Sequence, residues 1–430
     1  MKKKNNKKLD NSFYKKIKNN FTKMNKSIYS DMENDINDKS NFTIFEVMTI
    51  IIISIIFGVV IGYIVTYSKY QVGTEAKVTE IVSTYNNIVD NYYDTVDKNA
   101  LADAAVKGMI SSLHDPYSNF IDAENSSAYH DSVDGSFVGI GVTIQFEESL
   151  KYNKVVEIMK DSPAQEAGIK VDDIIIAVDG KDVSGLYGDD MSKLIRGEVD
   201  TKVDITVKRG EEEKVITVVR KTVELMSVSS DLLTYDDGNI GYIRIETFAA
   251  NTYSQFSKQL KKLEKKGIKS LIIDVRDNPG GHLAQTRKIL SLFFNKKVIL
   301  YQIVTKKEVE KVYSLSNDTR EYPVAILINR GSASASEILA SCFKNNYKKA
   351  ILVGLTTYGK GTVQKTQNLS TGSSIKYTTE KWLTSKGKWI NNKGVKPDYE
   401  VNLNDEYFDN PNHDTDNQLQ EAIKKLKESN

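Results

Sequence analysis

Between Val47 and Ser68 the chain runs 22 residues without a charged side chain, and its centre, Thr49 to Ile61, is mostly Ile with Val and Phe. A helix of that length crosses about 30 Å of hydrocarbon. A secretory signal has a shorter apolar stretch closed by small residues. Here the stretch runs into Tyr63, Tyr67 and Tyr70, the aromatic type that settles at a membrane interface. The pattern predicts an uncleaved single-pass transmembrane helix over residues 46–68.

Beyond it the pattern changes character three times. Ile81, Tyr85, Ile88 and Tyr92 recur at helical spacing, and Leu101, Ala105, Met109 and Ile110 repeat it, so residues 75–135 read as a mostly helical region. The periodicity stops at His114-Asp115-Pro116-Tyr117-Ser118, a loop signal. Residues 136–221 alternate instead. Phe137–Phe146 reads as a strand entered through Val138-Gly139-Ile140-Gly141, followed by Val155–Met159. A short helix comes next, then a buried strand Ile174–Val178 closed by the hairpin-type turn Asp179-Gly180. Met191, Leu194 and Ile195 mark an amphipathic helix ending at Gly197, and Val203–Val207 with Val215–Val219 close a hairpin. These pieces predict a small, mostly β domain.

Residues 222–404 alternate strands and helices. The expected elements are a strand Ile240–Ile245, a helix over 252–266 that ends at Gly267, buried strands Leu271–Val275 and Val324–Ile328, and a helix from near Ser334. Such alternation predicts an α/β core, with chemistry at the carboxyl ends of its strands. A last helix through Leu419, Ile423 and Leu426, within 405–430, is expected to dock on that core. The fold class is α/β and α+β, multidomain.

Net charge is only +2 over 430 residues, so no global basic field points to nucleic acid. The charge is uneven: residues 1–39 hold eleven Lys against five acidic residues. With the positive-inside rule, this bias keeps residues 1–45 cytoplasmic and sends the rest outside, at the cell membrane. The single cysteine, Cys342, supports neither a disulfide framework nor a thiolate cluster, and it sits in an apolar helical pattern that reads as core. The four histidines, His114, His130, His282 and His413, have no metal-ligand spacing. No metal or cofactor is expected.

Three segments could carry chemistry. Gly331-Ser332-Ala333-Ser334-Ala335-Ser336-Glu337 puts a serine at a helix start, where free N–H groups can stabilise an oxyanion; Ser334-x-x-Glu337 equally fits a capping box. Lys360 stands between Gly359 and Gly361 with little cover from its neighbours. Buried, such a lysine loses its proton and acts as a base; in a turn it is an ordinary solvated cation. Gln364 is four residues on, which on a strand puts it on the face of Lys360 and able to orient the amine. Asn278-Pro279-Gly280-Gly281 either presents N–H groups to a carbonyl or is a tight turn, and His282 beside it is an alternative base.

Together these segments resemble the carboxyl-terminal processing, or tail-specific, serine proteases over roughly residues 80–426. The resemblance also takes in Asp115-Pro116-Tyr117-Ser118, Ser162-Pro163-Ala164 with Ala167-Gly168-Ile169, and Gly394-Val395-Lys396-Pro397-Asp398. It implies Ser334 as nucleophile, Lys360 as general base and Gln364 orienting it. It places the oxyanion hole at the N–H of Ala335 and of Gly280 or Gly281. It makes 136–221 a PDZ-like domain that takes a substrate's C-terminal tail as an added strand, its carboxylate meeting Val138, Gly139, Ile140 and Gly141, and it makes 222–404 the protease core. The expected partners are protein or peptide substrates and the membrane, with a homodimer left open; a catalytically inactive PDZ scaffold at the membrane is the rival. Against the family pattern, Asp200 stands where a glycine is usual, and Glu198 where a proline is.

Overall fold

The computed structural model describes residues 18–20, 22–26, 43–71, 76–236 and 238–428. The chain divides into two units, Met1–Val96 and Asp97–Asn430. The helical region expected over 75–135 spans both units. The first unit contains helix α1 (Ile44–Gln71) and helix α2 (Ala76–Asn91). Within α1, Phe45–Tyr63 has mean hydropathy 2.5 and is long and apolar enough to cross a membrane. Most of the basic tail over 1–45 lies outside the described residues.

The second unit opens with helix α3 (Lys98–Ser111), whose first turn is capped by the Asp97 carboxylate on the N–H groups of Asn99 and Ala100. After the 114–118 loop comes a strand the periodicity did not show, β1 (Asn119–Ile121), then helix α4 (Ala123–Asp134). Three residues are too few to print an alternation.

The chain enters the small β domain through β2 (Ser136–Gly139) and leaves it through β9 (Lys221–Glu224), which pair antiparallel. Between them lie β3 (Val142–Glu147), β4 (Tyr152–Ile158), helix α5 (Pro163–Ala167), β5 (Ile174–Val178), β6 (Lys181–Asp182), helix α6 (Gly188–Ile195), β7 (Lys202–Arg209) and β8 (Glu212–Val219). The sheet order is β3-β4-β5-β7-β8, so β3 is an edge strand. The single strand expected over Phe137–Phe146 is broken in two. Gly141 takes φ +78°, and a Cβ there would meet Ser162 Cβ at 2.5 Å, so the chain turns where only glycine fits. Asp179 and Gly180 both take positive φ, as the tight hairpin between β5 and β6 requires. Asp200, in place of the usual glycine, adopts φ +64°. The domain has its own core around Ile140, Val155, Ile175, Met191, Ile205 and Val218.

The α/β core is a six-stranded sheet in the order β10 (Val228–Leu233), β11 (Asn239–Ile245), β12 (Ile268–Asp274), β15 (Val324–Ile328), β16 (Ala350–Gly354), β19 (Tyr399–Glu400), parallel except for the β10–β11 pair. At its centre Leu271–Ile273 and Val324–Ile328 are apolar without alternation because both faces are covered. Leu271 and Ile273 face one cluster with Val324, Ile326 and helix α7 (Thr252–Lys265); Ile272, Ala325 and Leu327 face another closed by helix α11 (Asn417–Glu428). Helix α7 buries Phe256, Leu260 and Leu263, and Gly267 follows it at φ +74°. Helices α8 (Leu283–Leu290) and α9 (Ala335–Asn346) pack beside it, and the short α10 (Asp405–Asp409) precedes α11. An antiparallel sheet in the order β1-β18-β13-β14, from β13 (Ile299–Val304), β14 (Val309–Tyr313) and β18 (Ser374–Thr384), carries β17 (Thr362–Asn368) paired to β18. It brings residues 360–364 to the carboxyl ends of β12 and β15.

Candidate active site

Strands β12 and β15 end side by side, and the loops that leave them are sewn together. The Asn278 carbonyl accepts the Ala333 N–H and the Ser336 hydroxyl, both at 3.0 Å, and the Ser332 hydroxyl donates to the Val275 carbonyl at 2.7 Å. Ser332 and Ser336 are fully buried in these roles. Ser334, between them, is half-buried and lines a cavity of about 670 Å³ together with Gly280, Gly281, His282, Lys360 and Gln364. The spacing of the three serines thus separates two structural hydroxyls from one that faces open space.

Ser334 is the N-cap of α9 at φ +54°, ψ −111°. A non-glycine residue there stores strain of order 1–3 kcal/mol, and such strain clusters at functional sites. Nothing in the sequence pattern announced it. The acidic half of the expected capping box is present: Glu337 Oε2 accepts the Ser334 N–H at 2.8 Å. The same carboxylate, fully buried, also accepts the Lys360 N–H at 2.8 Å, the Gly359 N–H at 2.7 Å and the Thr357 hydroxyl at 2.5 Å. One side chain therefore ties the backbone of the serine to the backbone of the lysine. Burial raises the Glu337 carboxyl above its usual range, and the four donors oppose that.

The glycines around Lys360 are required by close approach. A Cβ on Gly359, at φ +91°, would meet the Lys393 N at 2.9 Å, and one on Gly361 would meet Trp389 Nε1 at 2.5 Å. The Lys360 amine is half-buried, 4.8 Å from the centroid of the Tyr117 ring. Burial lowers its pKa to about 8, and the Lys376 charge adds to that; Asp115 and Glu337 pull the other way.

The expectation that Lys360 and Gln364 share a strand face needs correcting. Lys360 precedes β17, and the ladder carries a bulge between Val363 and Gln364, which breaks the two-residue period. Both still line the cavity. Gln364 Nε2 donates to Thr362 Oγ1 and Thr378 Oγ1, each at 3.0 Å. Thr378 in turn donates to Asp115 Oδ2 at 2.5 Å. Since the carboxylate can only accept, the Thr378 oxygen receives the amide N–H, and this fixes which way the Gln364 carboxamide points.

Of the two glycines, Gly280 packs against the serine: a Cβ there would meet Ser334 Cβ at 2.8 Å and Ala335 N at 3.0 Å. Its own N–H donates to Asn278 Oδ1 at 2.8 Å. Gly281 is exposed in the cavity at φ +140°. Ala335 is buried at the first turn of α9. His282 Nε2 faces the Val133 carbonyl at 3.1 Å, so the ring N–H donates there instead of serving Ser334.

A second cavity, about 370 Å³, lies between the edge strand β3 and helix α6 and is lined by Gly139, Ile140, Gly141, Thr143, Ile144, Ser192 and Ile195. Val138 does not reach it; that residue pairs with Thr222 in the β2–β9 ribbon. Asp131 of α4 forms an ion pair with Arg196 at its rim. Residues the sequence reading passed over as active-site parts are Glu337, Thr357, Thr378, Asp115 and Tyr117. Of these, the sequence offers Glu337 only as half of a capping box, and Asp115 and Tyr117 only within a loop and the family resemblance.

The molecule thus joins an open edge strand beside a helix groove to an α/β core with a serine at a strained strand–helix turn. The PDZ domain model matches residues 154–209, the model of the activating protease CtpB N-terminal domain matches 63–125, and the model of peptidase family S41 matches 239–401. A probable CtpA-like serine protease of Staphylococcus epidermidis (strain ATCC 12228 / FDA PCI 1200) is 36% identical over 366 residues, 83% of this chain and 72% of the relative. The carboxy-terminal processing protease CtpA of Bacillus subtilis (strain 168) is 38% identical over 335 residues, 77% of this chain and 70% of the relative. Among solved structures, the photosystem II D1 C-terminal processing protease is 26% identical, over 76% of this chain and 86% of that one, with a TM-score of 0.44. The chain belongs to peptidase family S41, the carboxyl-terminal processing serine proteases, and carries their PDZ domain.

Proposed function

We propose that the chain is an endopeptidase anchored in the membrane by α1 that cleaves proteins near their C-termini with a Ser334–Lys360 dyad. Neutral Lys360 takes the Ser334 proton as Oγ attacks the scissile carbonyl, and the lysine then gives that proton to the departing amine. Water attacks the resulting ester with Lys360 again as base, releasing the acid and restoring Ser334. The N–H groups of Ala335 and Gly281 receive the oxyanion, because the Gly280 amide is already held by Asn278. Gln364, its N–H side taken by two threonines, offers its carbonyl oxygen to the Lys360 ammonium. The substrate tail adds to the free edge of β3, its carboxylate at Gly139–Gly141. The basic N-terminal tail stays cytoplasmic and the catalytic unit outside.

The observation that carries this reading is the meeting of Ser334 with a half-buried amine of depressed pKa in one cavity, the two backbones held by one carboxylate. In the purified full-length protein, Ser334→Ala and Lys360→Ala should each abolish cleavage of a tailed peptide while leaving tail binding intact. The kcat/KM of the parent should rise with pH to a plateau above about 8. Equal cleavage by all three proteins would leave the scaffold reading; loss on His282→Ala with Lys360→Ala active would leave the histidine one.

A further inference from the structure

The lysine is covered by a residue that lies far outside the 239–401 span of the peptidase family match. Tyr117 belongs to the loop between α3 and β1, and its half-buried ring stands 4.8 Å from the Lys360 amine. The loop that carries the ring is held by its neighbours. Asp115 accepts the Tyr117 N–H at 3.1 Å, the Ser118 hydroxyl at 2.6 Å and the Thr378 hydroxyl at 2.5 Å, and the Thr378 N–H donates to Ser118 Oγ at 3.0 Å. Immediately afterwards β1 pairs with β18, Asn119 opposite Lys376 and Phe120 opposite Ile375. The loop is thus riveted to the strand that carries the β17 hairpin.

We propose that Tyr117 is a positioning residue of the active site, its ring shielding the Lys360 amine from water, so that segment 115–118 completes the catalytic pocket. This rests on the dyad reading above.

Charged groups face the amine from three sides: Lys376 of β18, Asp115 of the loop and Glu337 of α9, with Lys365 of β17 and Glu380 of β18 further along the cavity. Two of the three nearest are carboxylates, which favour the ammonium. Burial is the largest cause of the amine's depressed pKa, and Lys376 alone assists it among those neighbours. A flat ring over the amine supplies that burial. Its quadrupole gives back a little by attracting the cation, so the shielding must outweigh it.

The test measures kcat/KM against pH on the full-length protein in detergent, with Ser334→Ala and Lys360→Ala as controls. Tyr117→Phe keeps the ring and should keep the parent profile. Tyr117→Ala admits water, and its acid limb should move up from about 8 toward the ordinary lysine value of 10.5. A shift of one pH unit is about a tenfold loss at neutral pH, with the alkaline plateau retained. A merely structural role would lower the plateau and leave the limb where it was, and that result overturns the proposal. Tyr117→Leu keeps bulk without a π face, so its limb should stay or move slightly down; an upward tenfold shift there overturns the shielding argument even where the alanine variant fails to fold. If the Ser334 or Lys360 controls remain active, the dyad itself has failed, a result separate from either Tyr117 outcome.

Discussion

Ser334 and Lys360 stood out in the sequence as candidates with alternatives open, a capping serine and a solvated lysine, and only the family resemblance gave them catalytic roles. What the structure adds is the partial burial of the Lys360 amine, which no local pattern carries. That burial has a thermodynamic consequence. An amine whose folded pKa lies below 10.5 binds its proton less tightly folded than unfolded. The cost is therefore full below about pH 8 and fades as pH rises toward 10.5. Discounted for the part of the amine still open to water, it is about 1–2 kcal/mol. Lys360→Met should accordingly raise the thermal midpoint at pH 7 and lose most of that gain by pH 10; no gain at pH 7 would mean a hydrated amine. The role of Glu337 was half legible, as a cap, while its reach to Gly359 and Lys360 across 22 and 23 residues was not. Its oxygens meet four donors. A glutamine keeps one acceptor oxygen, so at least one backbone N–H faces its NH₂ group, at a cost of about 1–3 kcal/mol. Glu337→Gln should lower kcat about 10- to 100-fold. Removing the negative charge also lets the Lys360 pKa fall, so the acid limb of the pH–rate profile should move to lower pH, the reverse of Tyr117→Ala.

At the scale of elements, the readings that held were those in which one physical requirement dominated. Leu271–Ile273 of β12 and Val324–Ile328 of β15 run apolar because both faces are buried, and α7 shows its face through Phe256, Leu260 and Leu263. The ones that shifted were those in which backbone geometry overrode pattern. Phe137–Phe146 was apolar enough for one strand, yet Gly141 breaks it, and the bulge before Gln364 spoiled a face count that presumed regular pairing. The docking of α11 was legible as an apolar stripe, but its lock was not. Arg276, at the end of β12, donates to Asp274 at 2.6 Å and to Asp416 at 2.7 Å, and also reaches Gln418 at 3.0 Å, all with almost no exposure. Despite full burial, the arginine holds the Asp274 carboxyl below its usual range. Arg276→Met would leave buried Asp416 without its cation and Asp274 with only Arg244, 3.7 Å away, a loss of about 3–5 kcal/mol. Amide exchange of Asn417–Glu428 and the thermal midpoint should both report it. Because Arg276 is four residues before Gly280, peptidase activity should fall too, through the shape of the glycine turn.

For the second unit as a whole, two features of the chain path relate the β-domain groove to the cavity that holds Ser334 and Lys360. The PDZ domain is an insertion: the chain goes in through β2 and comes out through β9, with Gly139 paired to Lys221. Its core shares no residue with that of the α/β sheet. Inserted domains whose ends lie together are commonly separable. Helix α4, meanwhile, borders both cavities, Asp131 and Ser132 toward the groove between β3 and α6 and Tyr129, Ser132 and Val133 toward Ser334 and Lys360. Excising residues 140–220 and joining Gly139 to Lys221 through a two-residue glycine turn should therefore leave a folded protease core with the dyad in place. If the groove reads the tail carboxylate, the intact protein should cleave a substrate with a free C-terminus faster than its C-terminal amide, by about 10-fold or more for the loss of one charge-assisted contact set of roughly 1.5–3 kcal/mol. The excised protein should cleave the two alike. A preference that survives excision would move tail recognition into the catalytic cavity, where Lys365 and Lys376 are the cations within reach. Loss of all activity with a native-like circular dichroism spectrum would instead make the PDZ domain part of what holds α4, and through it the cavity wall, in the active arrangement.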